Sequence, residues 1–102
     1  MLVMQIASHA AEVCPSHEEK YRPISVNWYE KVESIAAKYG IKFLGSYTDP
    51  SMHDIYTIYD TPGMDVFMKL AMEPDMMAMW QFNKGRTFPV LDHKATLALV
   101  KK

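Results

Sequence analysis

Apolar side chains recur along the chain with two different periods, and the switches between them divide it into elements. Leu2–Ser8, LVMQIAS, is apolar on both alternating sets with Gln5 as the polar exception, the pattern of a largely buried first strand. Further on, Trp28, Val32, Ile35, Ala36 and Tyr39 return at steps that place them on one side of a 3.6-residue period, so a helix is predicted over about Ser25 to Tyr39. Glu30, Lys31, Glu33 and Lys38 fill its remaining surface, and Gly40 supplies a stop. IKFLGSYT and HDIYTIYD are rich in aromatic and β-branched residues and read as two strands. Asp49 and Pro50 suit the tight turn of an antiparallel hairpin between them. A second helical region is predicted from Met64 to about Phe82, restarted at Pro74, because proline fits a first helical turn and not a helix interior. The last strand is predicted within Asp92 to Val100. Residues 10–23, with Pro15 and Pro23 around the charged SHEEKYR, read as a loop.

Strand, helix, strand, strand, helix, strand is the order of the ferredoxin-like βαββαβ sandwich, an α+β fold with a four-stranded antiparallel sheet. Right-handed crossovers put both helical regions on one face of that sheet. Phe43, Tyr47, Tyr56, Ile58, Tyr59, Leu97 and Leu99 cannot all face the helices, because neighbouring strand residues alternate sides. The second face therefore needs a cover, and the same face of a second copy would supply one. Burying even ~500 Å² of apolar surface is worth about 12 kcal/mol before the costs of association. The expectation is a homodimer joined through its sheet faces.

Composition narrows the function classes. With 102 residues and no repeat or linker, the chain reads as a single domain, 1–102, near the small end of comfortable size. A net charge of −1, with both signs mixed along the chain, offers no basic surface for a polyanion, which argues against a nucleic-acid partner. A single cysteine forms no internal disulfide and favours the cytoplasm. The apolar opening MLVMQIAS lacks a basic leader and is too short for a signal sequence or a membrane span, so no membrane partner is expected.

The opening MLVMQIASHAAEVCPSH, with His9 followed by the Cys14-Pro15 pair, resembles the starts of small uncharacterised bacterial and archaeal members of the dimeric α/β-barrel superfamily. The overall pattern covers nearly the whole chain, while the local match rests on those three residues. The resemblance implies a ferredoxin-like protomer that forms a dimeric α/β barrel. Related barrels include cofactor-independent monooxygenases, muconolactone-isomerase-like enzymes, haem-handling proteins and stress-responsive proteins, so the resemblance bears on the fold more than on any one activity.

The topology also gathers chemistry. His9 ends the first strand, His53 begins the third and His93 precedes the predicted fourth. All three are expected at one rim of the sheet, from which the Cys14 to His17 loop departs. Imidazoles and a thiolate suit zinc, iron or copper, but His9-x4-Cys14-x2-His17 lacks the specificity of a repeated cysteine-pair signature. Turn-capping or solvent-facing histidines are the competing reading, and the sequence assigns no metal and no cofactor. His9 is the leading catalytic candidate, since an imidazole at a cavity rim exchanges protons near neutral pH. Gln5 shares its strand face and would orient a polar ligand, and Cys14 would be a nucleophile if an imidazolium lay beside it. Tyr47, His53, Tyr56 and His93 are the candidate substrate-binding residues, although tyrosines are equally good sheet filler. Dinucleotide, Walker, HExxH and EF-hand motifs are absent, as is a nucleophile elbow. Two functions compete: a cofactor-independent oxygenase or isomerase acting on a small apolar or aromatic molecule, and a non-enzymatic dimer that binds a metabolite or protein. A histidine/cysteine metal protein is a third.

Overall fold

The computed structural model describes residues 1–102. Its elements are β1 (Leu2–Ser8), α1 (Arg22–Ala37), β2 (Lys42–Asp49), β3 (Asp54–Asp60), α2 (Met64–Ala71), α3 (Pro74–Met77), β4 (Lys84–Val90) and α4 (His93–Val100). Tight 3-10 turns occupy Ala11–Val13 and Ala78–Gln81. The strands form one antiparallel sheet in the order β2-β3-β1-β4, the ferredoxin-like arrangement expected from the sequence.

Helix α1 starts earlier than its apolar stripe. Pro23 sits in its first turn, where a missing N–H costs no intrahelical bond. Trp28, Val32, Ile35 and Ala36 are buried on its inner side. After Ala37 the chain turns through Gly40, whose φ of 70° lies in the left-handed region, and the Ile41 amide closes the helix end on the Ala36 carbonyl at 3.1 Å. Phe67 and Leu70 of α2, then Met76, Met79 and Phe82, complete the cluster that covers one sheet face. Pro74 begins α3, so the second helical region breaks where its proline predicts.

Strand pairing sorts the side chains. Val3, Gln5 and Ala7 lie opposite Tyr59, Thr57 and Ile55 on the face beneath the helices. Leu2, Met4, Ile6 and Ser8 lie opposite Asp60, Ile58, Tyr56 and Asp54 on the other face, which nothing covers. In β2 the register slips between Phe43 and Gly45, leaving Leu44 as the extra residue of a bulge. Phe43 therefore packs against Tyr59 on the covered face, while Tyr47, four residues on, pairs with Tyr56 on the open one.

The fourth strand corrects the sequence reading. Lys84–Val90, KGRTFPV, takes that place, and the segment predicted as a strand is helix α4. Gly85, Pro89 and two cations are weak strand signals, tolerated because β4 lies at the sheet edge and pairs with β1 alone. HKATLALV is rich in helix formers, and the Asp92 carboxylate caps it by accepting from the Ala95 amide at 2.8 Å. Leu97 and Leu99 thus leave the sheet, and every residue from 91 to 102 is exposed. No helix is long and apolar enough to cross a membrane.

Candidate functional site

Four short segments converge at the end of the sheet where β1 stops. His9 follows β1 directly, and its amide donates to the His53 carbonyl at 3.3 Å, so the backbone fixes the two histidines side by side. Their rings meet edge to face with centroids 5.3 Å apart. His53 holds a φ of 58°, the one non-glycine residue in the left-handed region. Such a conformation costs energy for a side chain with a Cβ and persists only where its surroundings impose it. Here the β2–β3 turn does so. The Asp49 carboxylate accepts from the Ser51 amide at 3.0 Å, the Ser51 hydroxyl at 2.7 Å and the Met52 amide at 3.3 Å. Those bonds, the Ser51 hydroxyl's first, hold the Asp49 carboxyl below its ordinary pKa.

The loop after β1 brings Cys14 back over this corner. The Cys14 carbonyl receives the His17 and Glu18 amides at 3.1 and 2.8 Å, and Arg22 ties the following residues to α1 by donating to the Pro15 and Ser16 carbonyls. The Cys14 thiol is half-buried, unbridged and 3.0 Å from the Ser16 hydroxyl. One nitrogen each of His9 and His53 and the sulfur of Cys14 all lie within 4.8 Å of one another. These groups open into a cavity of about 270 Å³, walled by Ser25 and Tyr29 of α1 and by Thr48 and Pro50 at the end of β2, with Ile55 below.

The most informative group is Asn83, which the sequence reading did not single out. It is 4% exposed and sits between Phe82 and β4. Its amide nitrogen donates to the Met79 carbonyl at 2.8 Å, so its oxygen must face His9 Nδ1, 3.0 Å away. An amide oxygen only accepts, and the network therefore assigns the proton of a neutral His9 to Nδ1. The lone pair is left on Nε2, which is buried and has no hydrogen-bond partner. An unmade bond at such an atom costs on the order of 1–3 kcal/mol. Phe82, centred 5.8 Å from the His9 ring and stacked on Tyr21, keeps the imidazole from turning away. A signal for Asn83 existed in principle, as an amide directly after the mostly apolar run Ala78–Phe82, but its pairing with His9 depends on where β4 begins.

The other predicted residues lie elsewhere. Gln5 shares the covered face with His9 but donates to the Thr87 hydroxyl at 3.0 Å and lines a separate void of about 20 Å³, space for one water. Tyr47 and Tyr56 are on the open face, where the Tyr56 hydroxyl donates to Asp54 at 3.3 Å. His93 corrects the predicted rim: it opens α4, beyond the Val90 end of β4, whereas Lys84 at the other end lies beside Ser8 and His9. His17 is exposed and outside the cluster. The structure thus brings together His9, Cys14 and His53, and separates them from Gln5, Tyr47, Tyr56, His17 and His93.

No protein-family model and no curated protein matches the chain. Among solved structures it is similar to an uncharacterized NIPSNAP domain protein from Burkholderia xenovorans, with a TM-score of 0.52 and 13% identity over 91% of this chain and 97% of that one. At that identity the likeness is one of fold: both chains share the ferredoxin-like α+β architecture.

Proposed function

We propose that the protein is a cytoplasmic homodimer that binds a small organic molecule in the His9 cavity and acts on it through His9 Nε2. The observation that carries this reading is the buried, unpartnered lone pair at that atom, held in place by Asn83. Such a lone pair accepts a hydrogen bond or a proton from a bound molecule once the side chains that cover it at the cavity wall move aside. In catalytic form this is isomerase-type chemistry: Nε2 takes a proton from one atom of an activated substrate, the ring becomes an imidazolium, and the proton returns to another atom. The Nδ1–H bond to Asn83 is kept throughout. Tyr29, Pro15, Pro50 and Ile55 give the cavity apolar walls suited to a small apolar or aromatic molecule, and the Ser25 and Thr48 hydroxyls can orient it.

Dimerisation is supported by the excess surface of one chain. Its accessible area is 6609 Å², against about 5,900 Å² for a folded monomer of this mass. The difference, roughly 700 Å², is near one partner's share of a standard interface. The chain is also extended and thin, with a radius of gyration of 14.7 Å and extents of 51 × 31 × 17 Å, where about 13 Å is usual for this length. The uncovered sheet face, with Met4, Ile6, Tyr56, Ile58 and Phe88, and the bare α4 with Leu97 and Leu99, are the surfaces a second copy would cover.

Light scattering on the full chain is expected to give twice the chain mass. Histidine-labelled, chelator-treated protein screened by NMR against small aromatic acids and ketones is expected to shift the His9 ring signals, and the shifts should disappear in His9→Gln. Absence of any ligand that moves those signals overturns the binding reading, and a monomer at micromolar concentration overturns the dimer.

A further inference from the structure

We propose that His9 Nε2, Cys14 Sγ and one ring nitrogen of His53 form a zinc(II) site whose fourth position faces the cavity. The inference rests on the reading of this cavity as the functional site and goes beyond it. With the ion bound, zinc stands between Nε2 and the bound molecule; without it, the imidazole meets that molecule directly.

Two nitrogens and a sulfur are the donor set that borderline-soft Zn²⁺ prefers, and three protein ligands with a fourth position left open is the pattern of reactive rather than structural zinc sites. Tetrahedral zinc places such donors about 3.3–3.6 Å apart, given Zn–N near 2.0–2.1 Å and Zn–S near 2.3 Å. One nitrogen of each imidazole and the Cys14 sulfur already lie within 4.8 Å of one another, so side-chain rotations of about an ångström close the set around His9 Nε2.

Three further observations favour an ion over an incidental cluster. The His9 lone pair is buried and otherwise unmet. Asn83 accepts from Nδ1 and is itself fixed by Met79, the outer support that orients a metal-bound imidazole and enforces the tautomer with Nε2 free. The strained His53 backbone, held by the Asp49 turn, keeps the second imidazole at the same corner. The open position can take water or an oxygen of a small carbonyl or carboxylate compound, with the Ser25, Tyr29 and Thr48 hydroxyls lining the approach.

The full chain, stripped with chelator under reducing conditions, is titrated with zinc by calorimetry and separately with cobalt(II) followed by absorption. The expected result is one ion per chain, net proton release as the thiol ionises, and a cobalt–thiolate charge-transfer band. Cys14→Ser removes that band, and His9→Gln and His53→Gln each weaken zinc binding at least 100-fold. Asn83→Ala, a positioning change, weakens it roughly 10–100-fold while keeping the band. His17→Ala and His93→Ala bind as the wild type does. Circular dichroism checks the fold of each variant, and the cobalt spectrum of the unaltered chain stands as a test even if a variant unfolds. No stoichiometric zinc, no thiolate band, or affinity unchanged in folded Cys14→Ser overturns the site. Ligand binding to the chelated chain without zinc binding overturns the metal inference alone, whereas zinc binding with no small-molecule ligand overturns the earlier proposal alone.

Discussion

The two faces of the sheet are built from similar residues and end in different conditions. On the covered face Val3, Ile55 and Tyr59 are at most 4% exposed and interlock with Phe67, Leu70 and Val32. On the open face Met4, Ile6, Tyr56 and Ile58 come from the same strands with comparable apolar bulk, yet none is fully buried. The first face supplies the driving force for one chain to fold, and the second holds surface that only association can remove from water. Truncation should therefore act differently on the two. Phe67→Ala leaves a hole where the ring packs edge to face on Tyr59, 5.2 Å between centroids. It should cost about 3–5 kcal/mol, lowering Tm by roughly 12–40 °C. Ile58→Ala should lower Tm far less at dilutions where the chain is monomeric. Equal losses from both variants under those conditions would erase the distinction.

A somewhat smaller effect is expected where both faces depend on one backbone contact. A Cβ added at Gly85 would come within 1.8 Å of the Ile6 carbonyl oxygen, a backbone atom that cannot swing aside. Gly85→Ala should therefore push β4 away from β1, at a cost of about 2–4 kcal/mol. Faster hydrogen exchange at amides from Lys84 to Val90, with β2 and β3 still protected, would locate the damage. Uniform exchange across the sheet would contradict it.

The open face answers to a charge more than to a cavity. Ile58→Lys places an ammonium at the centre of the proposed dimer contact, where it would be desolvated without a partner. Sedimentation should change from dimer to monomer while far-UV circular dichroism stays the same. A variant that remains dimeric at low micromolar concentration would show that this face is not the joint.

How much of this was legible in the sequence depends on whether the deciding contact is local. The stripe from Trp28 to Tyr39 and the proline restart at Pro74 are local and read correctly, as does the hairpin at Asp49-Pro50. β4 was not legible, because its stability comes from pairing with β1, eighty residues away in sequence, while Gly85 and Pro89 interrupt its own strand signal. That error carried His93 to the wrong end of the sheet and hid Asn83, whose role requires β4 to begin at Lys84. The Leu44 bulge is a second non-local effect. Strict alternation keeps Phe43 and Tyr47 on one face, and the extra residue separates them, giving Thr48 rather than Tyr47 to the cavity. His9, Cys14 and His53 were legible as neighbours because each lies next to an element end that the apolar pattern marks.

The smallest expected effect concerns the β2–β3 turn beside the His9 cavity. Asp49 holds this turn with three accepted hydrogen bonds, and its carboxyl is depressed below the ordinary 3.8 chiefly by the Ser51 hydroxyl. A carboxyl lowered in the folded state contributes stability that is fully present above its unfolded pKa and is lost as pH falls through the lower folded value. Acidification below about pH 4 should therefore loosen the turn and release the constraint on His53, whereas raising the pH from there toward neutrality should do nothing through this group. Asp49→Asn keeps an acceptor oxygen and loses the charge, so the turn should survive with its acid dependence gone. Amide shifts of Ser51 and Met52 followed by NMR should titrate in the wild type with a midpoint below that of a free aspartate and stay flat in Asp49→Asn. The same titration in both chains would mean that another group sets the turn, and the His53 conformation would then need a different cause.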